Sequence, residues 1–204
     1  MPYLASIFEI ALFIVLPLIV YCQQCYASRK QLILNIALLY SIWFLSYAFL
    51  HELSHMFGSW ITGAKISGYQ LIPPFWKGDF RTAFINSIFK NETQTVVSTI
   101  MPYLRDIIFL IAGLWIFRRK KLRHHFLNGL LLTLLVFSPL YDIINNYSGF
   151  VFYSYGDFNE LSKAAGVVYT NIAGTLFTVI AIAITLRIFV VYKKQIPTQK
   201  STTR

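Results

Sequence analysis

Residues Leu32–Phe57 read LILNIALLYSIWFLSYAFLHELSHMF, uncharged from Leu32 to Leu50 and then running straight into His51-Glu52-Leu53-Ser54-His55. A hydrocarbon slab is crossed by about 20 mostly apolar helical residues, and neither Gly nor Pro interrupts this run. At about 100° per residue, His51 and His55 lie one turn apart on one face with Glu52 beside them. The stretch is therefore predicted as a membrane span whose far end carries three ionisable side chains.

The rest of the chain supports that setting. Of 204 residues, 56% are hydrophobic and only 13% charged, outside the range of soluble domains. Four more spans are predicted: about Leu4–Tyr21, Val96–Phe117 with its outer end made irregular by Arg105-Asp106, Phe126–Asn145, and Ala164–Leu186 continuing to about Tyr192. The expected fold is an all-α polytopic membrane protein: one five-span domain over residues 1–192 and a polar cytoplasmic tail over 193–204. After the second span, Lys65–Ile72 has strand character and Gly78–Ile85 offers a partner, which predicts a small β-hairpin; an aromatic interfacial loop around Phe75, Trp76 and Phe80 is the alternative.

Net charge is +10, from 18 Lys and Arg against 8 Asp and Glu. The basic residues sit between apolar runs instead of lining one face, which disfavours nucleic acid as a partner and leaves the bilayer. Arg29 and Lys30, the cluster Arg118, Arg119, Lys120, Lys121 and Arg123, and finally Lys193, Lys194, Lys200 and Arg204 follow alternate spans. Positively charged short loops stay cytoplasmic. The segments Lys65–Asn91 and Ser148–Lys163 are then expected outside, in a cell (inner) membrane, with the first span retained and its N-terminus outside. Cys22 and Cys25 have no second pair to complete a structural zinc site and are expected to remain ordinary reduced thiols.

Ionisable groups at membrane depth are functional candidates by default. Two neutral imidazoles one helical turn apart can bind one Zn²⁺, and a neighbouring carboxylate can act as general base for hydrolysis. A catalytic zinc takes a third protein ligand. His124 and His125 belong to the basic loop at the opposite end. At 1.5 Å per residue, His51 stands roughly 28 Å above the start of its span and Asp142 roughly 24 Å above the start of the fourth, so Asp142 is the first candidate. Asp157 and Glu160 are the reserve, their plainer role being helix N-terminal charge.

His51-Glu52-Leu53-Ser54-His55, followed by Gly63-Ala64-Lys65-Ile66-Ser67-Gly68 and later by Pro139-Leu140-Tyr141-Asp142, resembles the site-2-protease-like intramembrane zinc metalloproteases. The resemblance implies His51, His55 and Asp142 as zinc ligands, Glu52 as the base, a membrane-associated or transmembrane protein substrate, and a hairpin holding that substrate in extended form. It implies a minimal core without a PDZ-like insertion. In place of the family's Asn-Pro-Asp-Gly-like motif stands Leu140-Tyr141-Asp142-Ile143, and the family's zinc lies nearer the cytosol than the charge distribution here places it.

Arg105 and Asp106 are expected to form a buried ion pair, with Arg105 as an oxyanion donor the alternative; Asn145 and Asn146 are read as helix-ending polar residues with the same alternative. Glu9 receives no role. Two rival functions use the same features: a catalytically silent membrane scaffold, and a metal or small-solute transporter with the His/Asp cluster as transit site.

Overall fold

The computed structural model describes residues 7–73, 83–119 and 124–193. Helix α1 runs Ile7–Cys25 with a π-helical turn at Ala11–Val15; α2 is Arg29–Ile61. Strands β1 (Lys65–Gln70) and β2 (Phe84–Ile88) follow, then α3 (Glu92–Arg119). Helix α4 spans His125–Tyr153 with a π-helical turn at Thr133–Phe137. Helices α5 (Asp157–Ala165) and α6 (Val167–Lys193) complete the described chain.

The protein is an all-α membrane protein: α1, α2, α3, α4 and α6 are each long and apolar enough to cross a bilayer. Their outer faces show why lipid is the solvent. Ile33, Leu34, Ile108, Ile111, Tyr169, Ile172, Leu176 and Leu186 are all exposed, apolar surface that water would penalise. Helix α4 is the central element, with 56% of its apolar window enclosed by its neighbours against 11% for α2.

Three boundaries differ from the sequence expectation for identifiable reasons. The third span is a continuous helix through Arg105 and Asp106, because those two groups are paired inside the protein and need no water-filled break. The fifth span does not begin at Ala164. Gly166 takes φ +89°, a backbone conformation that only glycine adopts cheaply, and it separates the short α5 from α6. The hairpin forms, but its described second strand is Phe84–Ile88, not one starting at Gly78. Residues 78–82, and Phe75, Trp76 and Phe80 with them, lie outside the described residues. β1 and β2 are antiparallel from Lys65↔Ile88 to Gln70↔Phe84, with a bulge between Ile66 and Gly68.

The helices alternate in direction. At one end the Tyr21 hydroxyl donates to the His125 carbonyl at 2.5 Å, and Tyr192 packs against Tyr21 and Phe117 with ring centres 6.3 and 5.7 Å away. Arg29, Lys30, Arg118, Arg119 and His125 gather at this end; Lys120, Lys121, Arg123, Lys194, Lys200 and Arg204 lie outside the described residues. The opposite end holds the hairpin, α5 and the last turns of α2. With 33 residues, α2 is about 50 Å long, well beyond a hydrocarbon core of about 30 Å.

Candidate metal centre

Four helices contribute to one polar cluster. On α2, His51 and His55 face the interior, and α3 approaches closely enough to serve them because Gly58 stands at the crossing: a Cβ there would lie 2.8 Å from the Ser98 Cα. The Ser98 carbonyl consequently reaches His55 Nδ1 at 2.8 Å. Asp142 of α4 sets its Oδ2 2.8 Å from His51 Nδ1. Asp157, first residue of α5, points its Oδ2 at both remaining ring nitrogens, 3.0 Å from His51 Nε2 and 3.1 Å from His55 Nε2. The two Nε2 atoms are 3.2 Å apart.

These contacts decide the tautomers. A carbonyl oxygen only accepts, so His55 Nδ1 carries the proton, and an ionised Asp142 requires the same of His51. In the neutral imidazoles both Nε2 atoms then present lone pairs to one point, and a carboxylate oxygen presents a third. Three acceptors on one centre repel unless a proton or a metal cation stands between them. Zinc–nitrogen and zinc–oxygen bonds of about 2.0–2.1 Å in a tetrahedron put ligand atoms about 3.3 Å apart. The observed edges of 3.0, 3.1 and 3.2 Å fall within a few tenths of that, so His51, His55 and Asp157 could hold a metal ion.

The carboxylate oxygen that meets both Nε2 atoms belongs to Asp157, one of the two reserve candidates, whereas Asp142, the first candidate, meets the opposite nitrogen of His51. Asp142 is fully buried at the level of His51, and it meets the ring on the Nδ1 side, away from the point where the two Nε2 atoms converge. Its two oxygens are already saturated. Tyr47 and Asn146 donate to Oδ1, each at 2.9 Å, and His51 and Arg105 donate to Oδ2, each at 2.8 Å. Asp142 thus orients the His51 ring, as carboxylates behind metal-binding histidines do.

The other candidates are accounted for. Arg105 pairs with Asp106 at 2.5 Å and with Asp142 at 2.8 Å, and its remaining nitrogen donates to Ser54 at 3.2 Å, so the buried ion pair is the role observed. Among the described residues Arg105 is the only cationic side chain, histidines aside, paired with this group. Glu160 is 58% exposed and pairs with Lys163, away from the imidazoles. Asn146 is committed to Asp142. Asn145 and Ser148 donate to Glu9, at 2.5 and 2.6 Å, which gives Glu9 a role in joining α1 to α4. His124 and His125 are at the far end of the bundle.

Glu52 is half-buried beside the two imidazoles, and no hydrogen bond ties it to another described residue. Met56, one turn further along α2, lines a cleft of about 420 Å³ with Ile66, Ser67, Gly68, Tyr69 and Leu71 of the β1 segment. Sequence reasoning overlooked Tyr47, Ser98 and Tyr103. The first could have been found, since it precedes His51 by one turn on the same face; a backbone carbonyl such as that of Ser98 leaves no trace in a sequence.

Comparison with family models, curated proteins and solved structures finds no match to this chain.

Proposed function

We propose that this protein is a membrane-embedded, zinc-dependent endopeptidase of the site-2-protease-like kind, cleaving membrane-associated or transmembrane proteins. The observation that carries the proposal is the convergence of His51 Nε2, His55 Nε2 and Asp157 Oδ2 within 3.0–3.2 Å of one another, with Glu52 on the same turn.

His51, His55 and Asp157 would hold the ion. When bound, zinc supplies Lewis acidity, polarising a carbonyl and lowering the pKa of water. The protein's own residues do the rest. Asp142 and the Ser98 carbonyl keep the Nδ1 protons of His51 and His55 in place, so both Nε2 lone pairs stay directed inward. A carboxylate oxygen of Glu52 takes the proton of the attacking water and returns it to the leaving amine nitrogen. The cleft between Met56 and β1 suits an extended peptide, whose amide is open to attack as a helical one is not. The basic residues at the other end favour a site on the extracytoplasmic side.

Two measurements test this. Zinc content of detergent-purified protein should approach one ion per chain for the wild type and collapse for His51→Ala. In membranes from cells expressing the wild type, new protein N-termini should appear that are missing with Glu52→Gln, while that variant retains its zinc. Equal zinc in wild type and His51→Ala, or the same set of N-termini with Glu52→Gln, would end the proposal.

A further inference from the structure

Asp157 differs from the two histidines in how it is held. They belong to a long span, whereas Asp157 opens the short α5, bounded by Gly156 at φ +83° and Gly166 at φ +89°. One residue of another helix grips both that carboxylate and the helix bearing it. Tyr103 of α3 is fully buried. Its hydroxyl donates to Asp157 Oδ2 at 2.7 Å, the same oxygen that meets both imidazoles. Its ring stacks on Phe158, the next residue of α5, with centroids 4.6 Å apart and planes at 29°. Tyr147 closes on Phe158 from α4 with centroids 5.5 Å apart, and Phe177 of α6 lies 6.0 Å from Tyr103.

Resting on the metal-centre reading above, we propose that Tyr103 is the positioning residue for the third ligand: its hydroxyl fixes the direction of Asp157 Oδ2 while its ring docks α5. The two functions are separable by substitution. Tyr103→Phe keeps the ring and its stacking, and removes only the hydrogen bond. Partners of this kind, one shell behind a metal, are worth about 10–100-fold in affinity.

The test is a Zn²⁺ and Co²⁺ titration of detergent-purified wild type, His51→Ala, Tyr103→Phe and Tyr103→Leu, with thermal melting of each protein in chelator. Tyr103→Phe should melt near the wild type and well above Tyr103→Leu when metal-free, yet bind either ion about 10–100-fold more weakly, and its Co²⁺ visible spectrum should change shape. Tyr103→Leu should lose both melting temperature and affinity. Tyr103→Phe binding within about threefold of wild type with an unchanged spectrum would overturn the proposal, leaving Tyr103 a packing residue while the metal centre stands. Wild type binding no better than His51→Ala would overturn the metal centre itself and this inference with it.

Discussion

Asp142 shows how much one buried carboxylate can organise. It takes four hydrogen bonds from Tyr47, Asn146, His51 and Arg105, and through Arg105 it is joined to Asp106. Removing the guanidinium from such a group leaves uncompensated buried charge, at a cost of about 3–5 kcal/mol. Arg105→Leu is accordingly expected to lower the melting temperature sharply. Arg105→Lys should recover part of the loss, because one ammonium cannot replace the Nε, Nη1 and Nη2 donors with which Arg105 reaches Asp106, Ser54 and Asp142 together. Melting of Arg105→Leu at the wild-type temperature would show that the pair contributes nothing. At this scale the sequence was partly legible. The spacing of His51, Glu52 and His55 announces their chemistry, since helical periodicity fixes their relation. Asp142 and Asp157 could not be ranked that way. Both lie at the correct end, and which face of an imidazole each meets depends on helix rotation and on a helix outside the spans.

Among the elements, the α2–α3 contact carries the greatest consequence for the site. Gly58 packs directly on the backbone of Ser98, and that residue's carbonyl holds His55. Gly58→Ala forces the two helices apart, with an expected loss of about 1–3 kcal/mol from overpacking and a lower zinc occupancy. Gly68→Ala in β1, whose added Cβ would meet only the Asn86 amide at 4.0 Å, is the matched substitution that should leave both unchanged. Melting curves and metal analysis of the pair check this; equal behaviour would mean that the crossing tolerates a methyl group. The spans themselves were readable from apolar length alone. The break at Gly166 was not, because Ala164, Ala165, Val167 and Val168 on either side continue the apolar run and hide a backbone turn that depends on one φ angle.

For the molecule as a whole, the sorting of charge makes a topological prediction. Ser28 lies at the basic end of the bundle and Tyr155, exposed, at the end that carries the His/Asp cluster. In a background with Cys22 and Cys25 replaced by Ser, a cysteine at Tyr155 should react with a membrane-impermeant maleimide in intact cells, and one at Ser28 only after lysis. The reverse pattern would invert the orientation and put the site on the cytosolic side. The layout also has a temporal side. Asp157 follows His51 by 106 residues and His55 by 102, and ribosomes add roughly 5–20 residues per second. A growing polypeptide therefore exposes the histidine pair for some 5–20 s before the Asp157 carboxylate that meets them exists. On the proposed reading, translation-arrested products ending short of residue 157 should retain no zinc when isolated.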